Sequence, residues 1–198
     1  MFPLPNEVKN IFSVFKNNGF EIYLVGGAVR DFLLGKKPEN FDFTTNATPE
    51  KIQSLFPNSF YHNVYGTVSI PVETQSFASL QKNIIEITPF RKEENYTDFR
   101  HPEKIAWAKT VEEDLGRRDF TINAIAYDGD KIIDPFGGEK DIKNQLIRCV
   151  GDPDKRFFED ALRLLRAIRF ASQLGFLIEE KTRKAIEKNS QLITKISW

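Results

Sequence analysis

Apolar residues recur three and four apart at Val8, Ile11, Phe12 and Phe15, which predicts an amphipathic helix that Asn6 caps and Asn18-Gly19 ends. Glu21–Val25 reads as a short strand, and Gly26-Gly27 turns the chain into a short helix, Ala28–Leu34, closed by Gly35. A second strand is expected over Asn40–Thr44. Thr48-Pro49-Glu50 opens another helix, with threonine as cap and proline in the first turn. From Tyr65 to Thr88 the pattern turns to β: Gly66–Val72, a polar turn, then Asn83–Thr88, with Pro71 marking an edge or the end of pairing. Arg91–Glu103 is charged, poor in aliphatic residues and without either period, so it is predicted to be a long mobile loop. Asp119–Tyr127 is predicted helical, Asp134–Gly138 is a turn cluster, and Leu146–Val150 a last strand.

The pattern changes at Gly151. Asp152-Pro153 is a cap followed by proline, and Asp154–Leu174 carries one long amphipathic pattern. Phe157, Ala161, Leu164, Leu165 and Ile168 fall on one side of it, with Arg163, Arg166 and Arg169 on the other. Gly175 stops this helix and Glu179–Ser190 reads as a second. The expectation is a mixed α/β unit over residues 1–150, followed by the start of a helical domain over 151–198 within a longer protein.

Composition narrows the picture. Charges balance at 28 Lys+Arg against 28 Asp+Glu, so any nucleic-acid surface must come from local clustering. No apolar run approaches the ~20 residues of a membrane helix. One cysteine, Cys149, excludes an intramolecular disulfide and a thiolate metal cluster, and suits a reducing, cytoplasmic compartment.

Four constellations carry candidate chemistry. Gly26-Gly27-Ala28-Val29-Arg30-Asp31 joins a strand to a helix through two glycines, where amides approach an anion closely and Arg30 grips a phosphate oxygen. It has the spacing of neither a P-loop nor a dinucleotide fingerprint, and a tight turn needing glycine reads the same way. In Asn40-Phe41-Asp42-Phe43, a strand puts Asn40 and Asp42 on one face, two oxygen ligands suited to Mg²⁺ with phosphates completing its shell. Glu86 is a lone carboxylate in the apolar run Ile84–Thr88; a solvent-facing position on a half-buried sheet is its plain alternative.

Arg117, Arg118, Asp119 and Asn123 cluster at a predicted helix start, where they suit triphosphate and ribose or form a solvated helix end. Glu159-Asp160 stands before Arg163, Arg166 and Arg169. Asp160 and Arg163, three apart, pair as an acceptor and donor for a base edge, or as part of an ion-paired outer face.

In this order, Gly26–Asp31, Phe41-Asp42 with Thr44-Thr45, Tyr65–Val68, Glu86 before Thr88, Arg117–Ala124 and Glu159–Phe170 resemble the class II tRNA nucleotidyltransferase and bacterial poly(A) polymerase family, from roughly Ile22 to Gly175. The resemblance implies an α/β (α+β) polymerase-β-like head with a small mixed sheet, then an all-helical neck. It implies a two-metal Mg²⁺ site on Asp42 and Glu86, and phosphate contacts from Gly27, Arg30 and Arg118. Asp160 and Arg163, with Arg166 and Arg169 alongside, become a template for the base of CTP or ATP. Arg91–Glu103 becomes a flexible loop for adding the terminal A. The implied partner is the 3′ end of tRNA.

The chain departs from the family at Asn40, which stands where the resemblance calls for the first metal carboxylate. An amide oxygen brings no charge, so impaired activity is expected. CCA addition, A addition, poly(A) synthesis and a non-catalytic nucleotide- or RNA-binding module stay open at this level.

Overall fold

The computed structural model describes residues 2–62, 66–72, 83–96 and 102–195. Its centre is one mixed sheet of β1 (Ile22–Val25), β2 (Asp42–Thr45), β3 (Phe60–His62), β4 (Thr67–Val72), β5 (Asn83–Pro89), β8 (Ala126–Tyr127) and β9 (Ile132–Ile133), in the order β3-β4-β5-β2-β1-β8-β9. Only β2 and β5 run parallel in it. Helices α1 (Asn6–Asn17), α2 (Gly27–Leu33) and α3 (Pro49–Leu55) connect the first strands. Each starts or stops as its residues dictate. Thr48 accepts from Lys51 N at the head of α3, and glycines in the left-handed region follow α1 and α2 at Gly19 and Gly35.

After β5 comes a two-stranded hairpin, β6 (Arg91–Tyr96) and β7 (Pro102–Trp107), where a mobile loop is predicted. Hydrophobicity conceals it because β6 carries no aliphatic residue and so shows no apolar alternation; in register Glu94 stands opposite Lys104. Residues 97–101 of the predicted loop lie outside the described residues, as do Tyr65 and the segment expected as a polar turn before Asn83. Next come α4 (Val111–Gly116), a 3₁₀ turn at Thr121–Asn123, α5 (Gly138–Lys143) and β10 (Leu146–Ile147). The predicted helix over Asp119–Tyr127 is therefore a correction: it is a 3₁₀ turn followed by β8, whose residues are drawn into the sheet against β1.

The C-terminal part is α6 (Pro153–Glu159), α7 (Leu162–Leu174), β11 (Leu177–Ile178), α8 (Glu180–Asn189) and a 3₁₀ stretch, Ser190–Lys195. The single helix expected over Asp154–Leu174 is broken at Asp160, whose backbone is extended (φ −143°, ψ 102°) while its Oδ1 accepts from Leu162 N. The break turns the helix face. Arg163 is buried with Leu164, Ala167 and Phe170, whereas Ile168, expected on the core side, is 52% exposed.

One apolar core runs from α1 through the sheet into α6 and α7, joining Phe15, Leu24, Phe43 and Ile87 to Phe120, Phe157 and Leu164. A smaller one under β6, α4 and β8 gathers Val25, Phe90, Leu115, Ala124 and Val150. Among the described residues no helix is long and apolar enough to cross a membrane.

Candidate active site

Parallel register sets Asp42 directly opposite Glu86, and Phe43 opposite Ile87 one step further on. Alternation does the rest. Phe43 and Ile87 are buried in the core, so Asp42 and Glu86 face the other way, with Thr88 two residues on. They form the floor of a cavity of about 620 Å³.

On the β1 side of that floor, Val25 pairs with Asp42 and the chain turns sharply at Gly26 (φ +69°) into α2. A Cβ at Gly26 would stand 3.3 Å from Arg118 Nη1, so glycine is what lets this arginine lie against the turn. Arg30 is held from two directions. Its Nε and Nη2 donate to Asp31 Oδ1 at 2.9 and 2.8 Å, and its Nη1 donates to Asn123 Oδ1 at 2.9 Å.

Asp114, wholly buried on α4, sets the arginines of the opposite wall. Its Oδ1 accepts from Arg117 Nε at 3.0 Å and its Oδ2 from Arg118 Nη2 at 3.1 Å. Burial pushes this carboxyl up, but the two guanidiniums and their hydrogen bonds outweigh it and hold its pKa below the ordinary value. Spacings of three and four from Asp114, on α4, to Arg117 and Arg118 just past its end were the available signal for a residue that sequence reasoning overlooked. Phe170, which lines the cavity with guanidinium carbons of Arg30 and Arg166 5.4 and 5.2 Å from its ring centre, was overlooked too.

The third wall comes from the α6–α7 junction. Arg163 Nη1 donates to Glu159 Oε2 (3.0 Å) and to the Arg156 carbonyl (3.2 Å), and Nη2 donates to the Arg117 carbonyl (3.0 Å). Its Nε is 3.9 Å from Asp160 Oδ2, an ion pair too loose for a hydrogen bond. Asp160 sits partly out of water, which raises its pKa against the pull of Arg163.

The cavity thus gathers Gly26, Gly27, Arg30, Asp42, Glu86, Arg118, Asp119, Asn123, Asp160, Arg163 and Arg166. Three candidates lie elsewhere. Asp31 stands behind Arg30 as its anchor. Arg169 is exposed, its guanidinium carbon 4.9 Å from the ring centre of Phe170, and does not line the cavity. Asn40 precedes β2 and lines a second cavity, of about 860 Å³, with Pro38, Phe41 and Ile84. The strand that was to carry Asn40 and Asp42 together begins only at Asp42.

Among the described residues no group of three or more His, Cys, Asp or Glu gathers as a metal-ligand set. The Asp42–Glu86 pair nevertheless suits a divalent cation. Lost hydration and then the Glu86 charge raise the Asp42 pKa, only partly offset by Arg118, so the pair has unmet negative charge where phosphate oxygens would complete a shell.

A mixed sheet with carboxylates paired on its open face, beside a glycine turn and an arginine wall, defines a polymerase-β-like nucleotidyltransferase head. Residues 22–148 match the poly A polymerase head domain, and the chain belongs to that family. The CCA-adding enzyme of Lactobacillus helveticus (strain DPC 4571) is 47% identical over 189 residues, 94% of this chain and 45% of that protein. The crystal structure of the Bacillus stearothermophilus CCA-adding enzyme in complex with CTP superposes with a TM-score of 0.83 at 38% identity, covering 98% of this chain and 46% of that one. The Thermotoga maritima CCA-adding enzyme complexed with tRNA_CCA gives 0.77 at 27% identity, covering 98% and 45%. The chain spans about half the length of the curated relatives it matches.

Proposed function

We propose that this chain is the catalytic head of a tRNA nucleotidyltransferase that adds CMP and AMP, from CTP and ATP, to the 3′ end of tRNA and releases pyrophosphate. The observation that carries the reading is that one cavity holds the Asp42–Glu86 pair on its floor, arginines on one wall and the Asp160–Arg163 pair on another. Relatives crystallised with CTP and with tRNA support the choice of substrates.

In this reading the triphosphate lies along Gly26-Gly27 and Arg118, with Arg30 fixed beside it by Asp31 and Asn123. The base meets Asp160 as acceptor and Arg163 as donor. CTP and ATP each present an exocyclic amine and a ring acceptor to such a pair, and GTP and UTP do not in that arrangement. The RNA 3′-hydroxyl attacks the α-phosphorus, the bond to the bridging oxygen breaks, and pyrophosphate departs toward the arginines. Asp42 and Glu86 would hold Mg²⁺, which when bound supplies charge neutralisation at the attacking and leaving oxygens. Residues 1–150 would form this head and 151–198 the start of the helical neck.

Asn40 favours a second element of the proposal, that turnover in this chain is slow. The amide at position 40, before β2 and lining the second cavity, brings no charge to the metals, which leaves Asp42 and Glu86 as the carboxylates that would serve them. The test is incubation of the longer protein containing this chain with tRNA lacking its 3′ CCA, supplying labelled CTP and ATP singly and together. Incorporation of C, C and A in order supports the reading. A alone would make it an A-adding enzyme, a long A tail a poly(A) polymerase, and no incorporation with nucleotide bound a binding module.

A further inference from the structure

The register of the sheet carries one cross-strand row beyond the two carboxylates. Val25 pairs with Asp42, Asp42 with Glu86, Glu86 with Ser69, and Ser69 with Phe60. Directly paired residues share a face, so Phe60 lies on the carboxylate face, two strands beyond Glu86 and about 10 Å from it by strand spacing. Phe60 is 63% exposed on the edge strand β3.

Trp107 borders the same region. It is 51% exposed and is the register partner of Arg91, which lines the cavity. Its indole rests on Gly66, the residue before β4, where a Cβ would come within 2.5 Å of Trp107 Cη2. Gly66 also has φ +76°, so the seat under this ring is open only to glycine. Thr67, next along, shares a 3.0 Å hydrogen bond with Thr88 of the cavity floor.

The chemistry decides what belongs there. Phosphoryl displacement places the attacking and leaving oxygens roughly in line on opposite sides of phosphorus. Gly26 and Arg118 take the leaving side, over β1. The attacking strand therefore arrives from the opposite side, past Glu86 and over β4 and β3.

We propose that this strip is the seat of the single-stranded RNA 3′ end, whose last bases stack on Phe60 and Trp107; the inference rests on the nucleotidyltransferase reading. A growing end changes identity with each addition, so its contacts must tolerate any base. Stacking on an aromatic ring does so, since every base has a π-face, whereas hydrogen-bond readout does not.

The probe is a short fluorescein-labelled single-stranded RNA ending in CC, titrated by anisotropy into the protein, with CTP affinity measured on the same samples. A 4-thiouridine version is photocrosslinked and the sites mapped by mass spectrometry. Phe60→Ala and Trp107→Ala should each weaken RNA binding about tenfold, the scale of one base–aromatic stack. CTP affinity should stay unchanged, Phe60→Trp should restore RNA binding, and crosslinks should fall on β3 and β7. Crosslinks confined elsewhere, RNA affinity unaltered in both alanine variants, or no RNA binding by the wild type would each overturn the proposal. CTP and UTP affinities of the same samples separate the two failures: intact C-over-U preference leaves the nucleotidyltransferase reading standing, and its absence removes that reading as well. A doubled mass in solution that Phe60→Ala abolishes, with no RNA crosslinks on the strip, would instead make it a contact between copies of this chain and overturn the proposal.

Discussion

Arg166 grips Asp119 from α7, its Nε and Nη2 reaching the same Oδ2 at 2.7 and 2.6 Å. The other oxygen of Asp119 accepts from Phe120 N and from Asn123 Nδ2, and Asn123 Oδ1 in turn accepts from Arg30. A continuous polar chain therefore runs from Arg30 on one wall of the cavity to α7 on another. Removing the cation leaves a buried carboxylate uncompensated. Arg166→Ala should cost about 2 kcal/mol, less than a fully buried pair because Arg166 is partly exposed. Denaturant unfolding should show the loss, and CTP and ATP should weaken together, since the link sets geometry and not base identity.

Asp114 should be the most costly of the site's carboxylates to remove. It is wholly buried between two arginines, so Asp114→Ala should destabilise by about 3–5 kcal/mol. Its folded pKa lies below the unfolded one, near 3.9. The stabilisation is thus fully present above about pH 4 and is lost as pH falls through the lower, folded value. Acid unfolding followed by circular dichroism should set in at higher pH once this carboxylate is removed in a variant that still folds, such as Asp114→Asn.

Asp42 behaves oppositely. Its folded pKa is raised, so ionised Asp42 opposes folding at pH values above its unfolded pKa, and a cation relieves it. Mg²⁺ or Mn²⁺ should raise the melting temperature at neutral pH, and the increment should fade as pH drops through the raised pKa. Asp42→Asn should melt no lower than wild type without metal and should show no metal-dependent increment. Thermal melts across a pH and metal series give the answer; a full increment in the variant would place the metal elsewhere.

Much of this site was legible in the residues. Gly26-Gly27, Asp42, Glu86, Arg118 and Asp160-Arg163 fall in one cavity because strand alternation and glycine turns are local rules that the sheet obeys. Other features depended on partners far along the chain. The hairpin β6–β7 was hidden because β6, without an aliphatic residue, lacks the apolar alternation that marks a strand, and its pairing is with a segment further along the chain. Asp160 leaves the helix because its own side chain accepts from Leu162 N, an alternative to the helical ladder that no apolar period reveals. Arg163 reads as an outer-face charge until the carbonyl of Arg117, 46 residues earlier, is brought against it.

Asn40 is the position where pattern and packing part. The resemblance puts a metal carboxylate there, and the chain holds the amide outside the cavity, before β2. We propose that β2 extends back to position 40 when metal binds, so that Asn40→Asp then adds a third negative charge beside Asp42, tightening divalent-ion binding and raising incorporation by roughly 10²-fold, a few kcal/mol of barrier. Metal-dependent incorporation of labelled nucleotide by the two variants of the longer protein tests this. Superimposable metal titrations would mean that position 40 serves the second cavity and not the first.

The central claim is that one cavity binds a triphosphate and reads its base through Asp160 and Arg163. Calorimetric titration of this chain with CTP, ATP, GTP and UTP, each with Mg²⁺, addresses it directly. CTP and ATP should bind about tenfold or more tightly than GTP and UTP, the scale of a mismatched pair of hydrogen bonds at a partly buried site. Asp160→Ala should narrow that gap while Arg118→Ala weakens all four alike. Equal affinity for the four nucleotides in the unaltered chain would contradict the account.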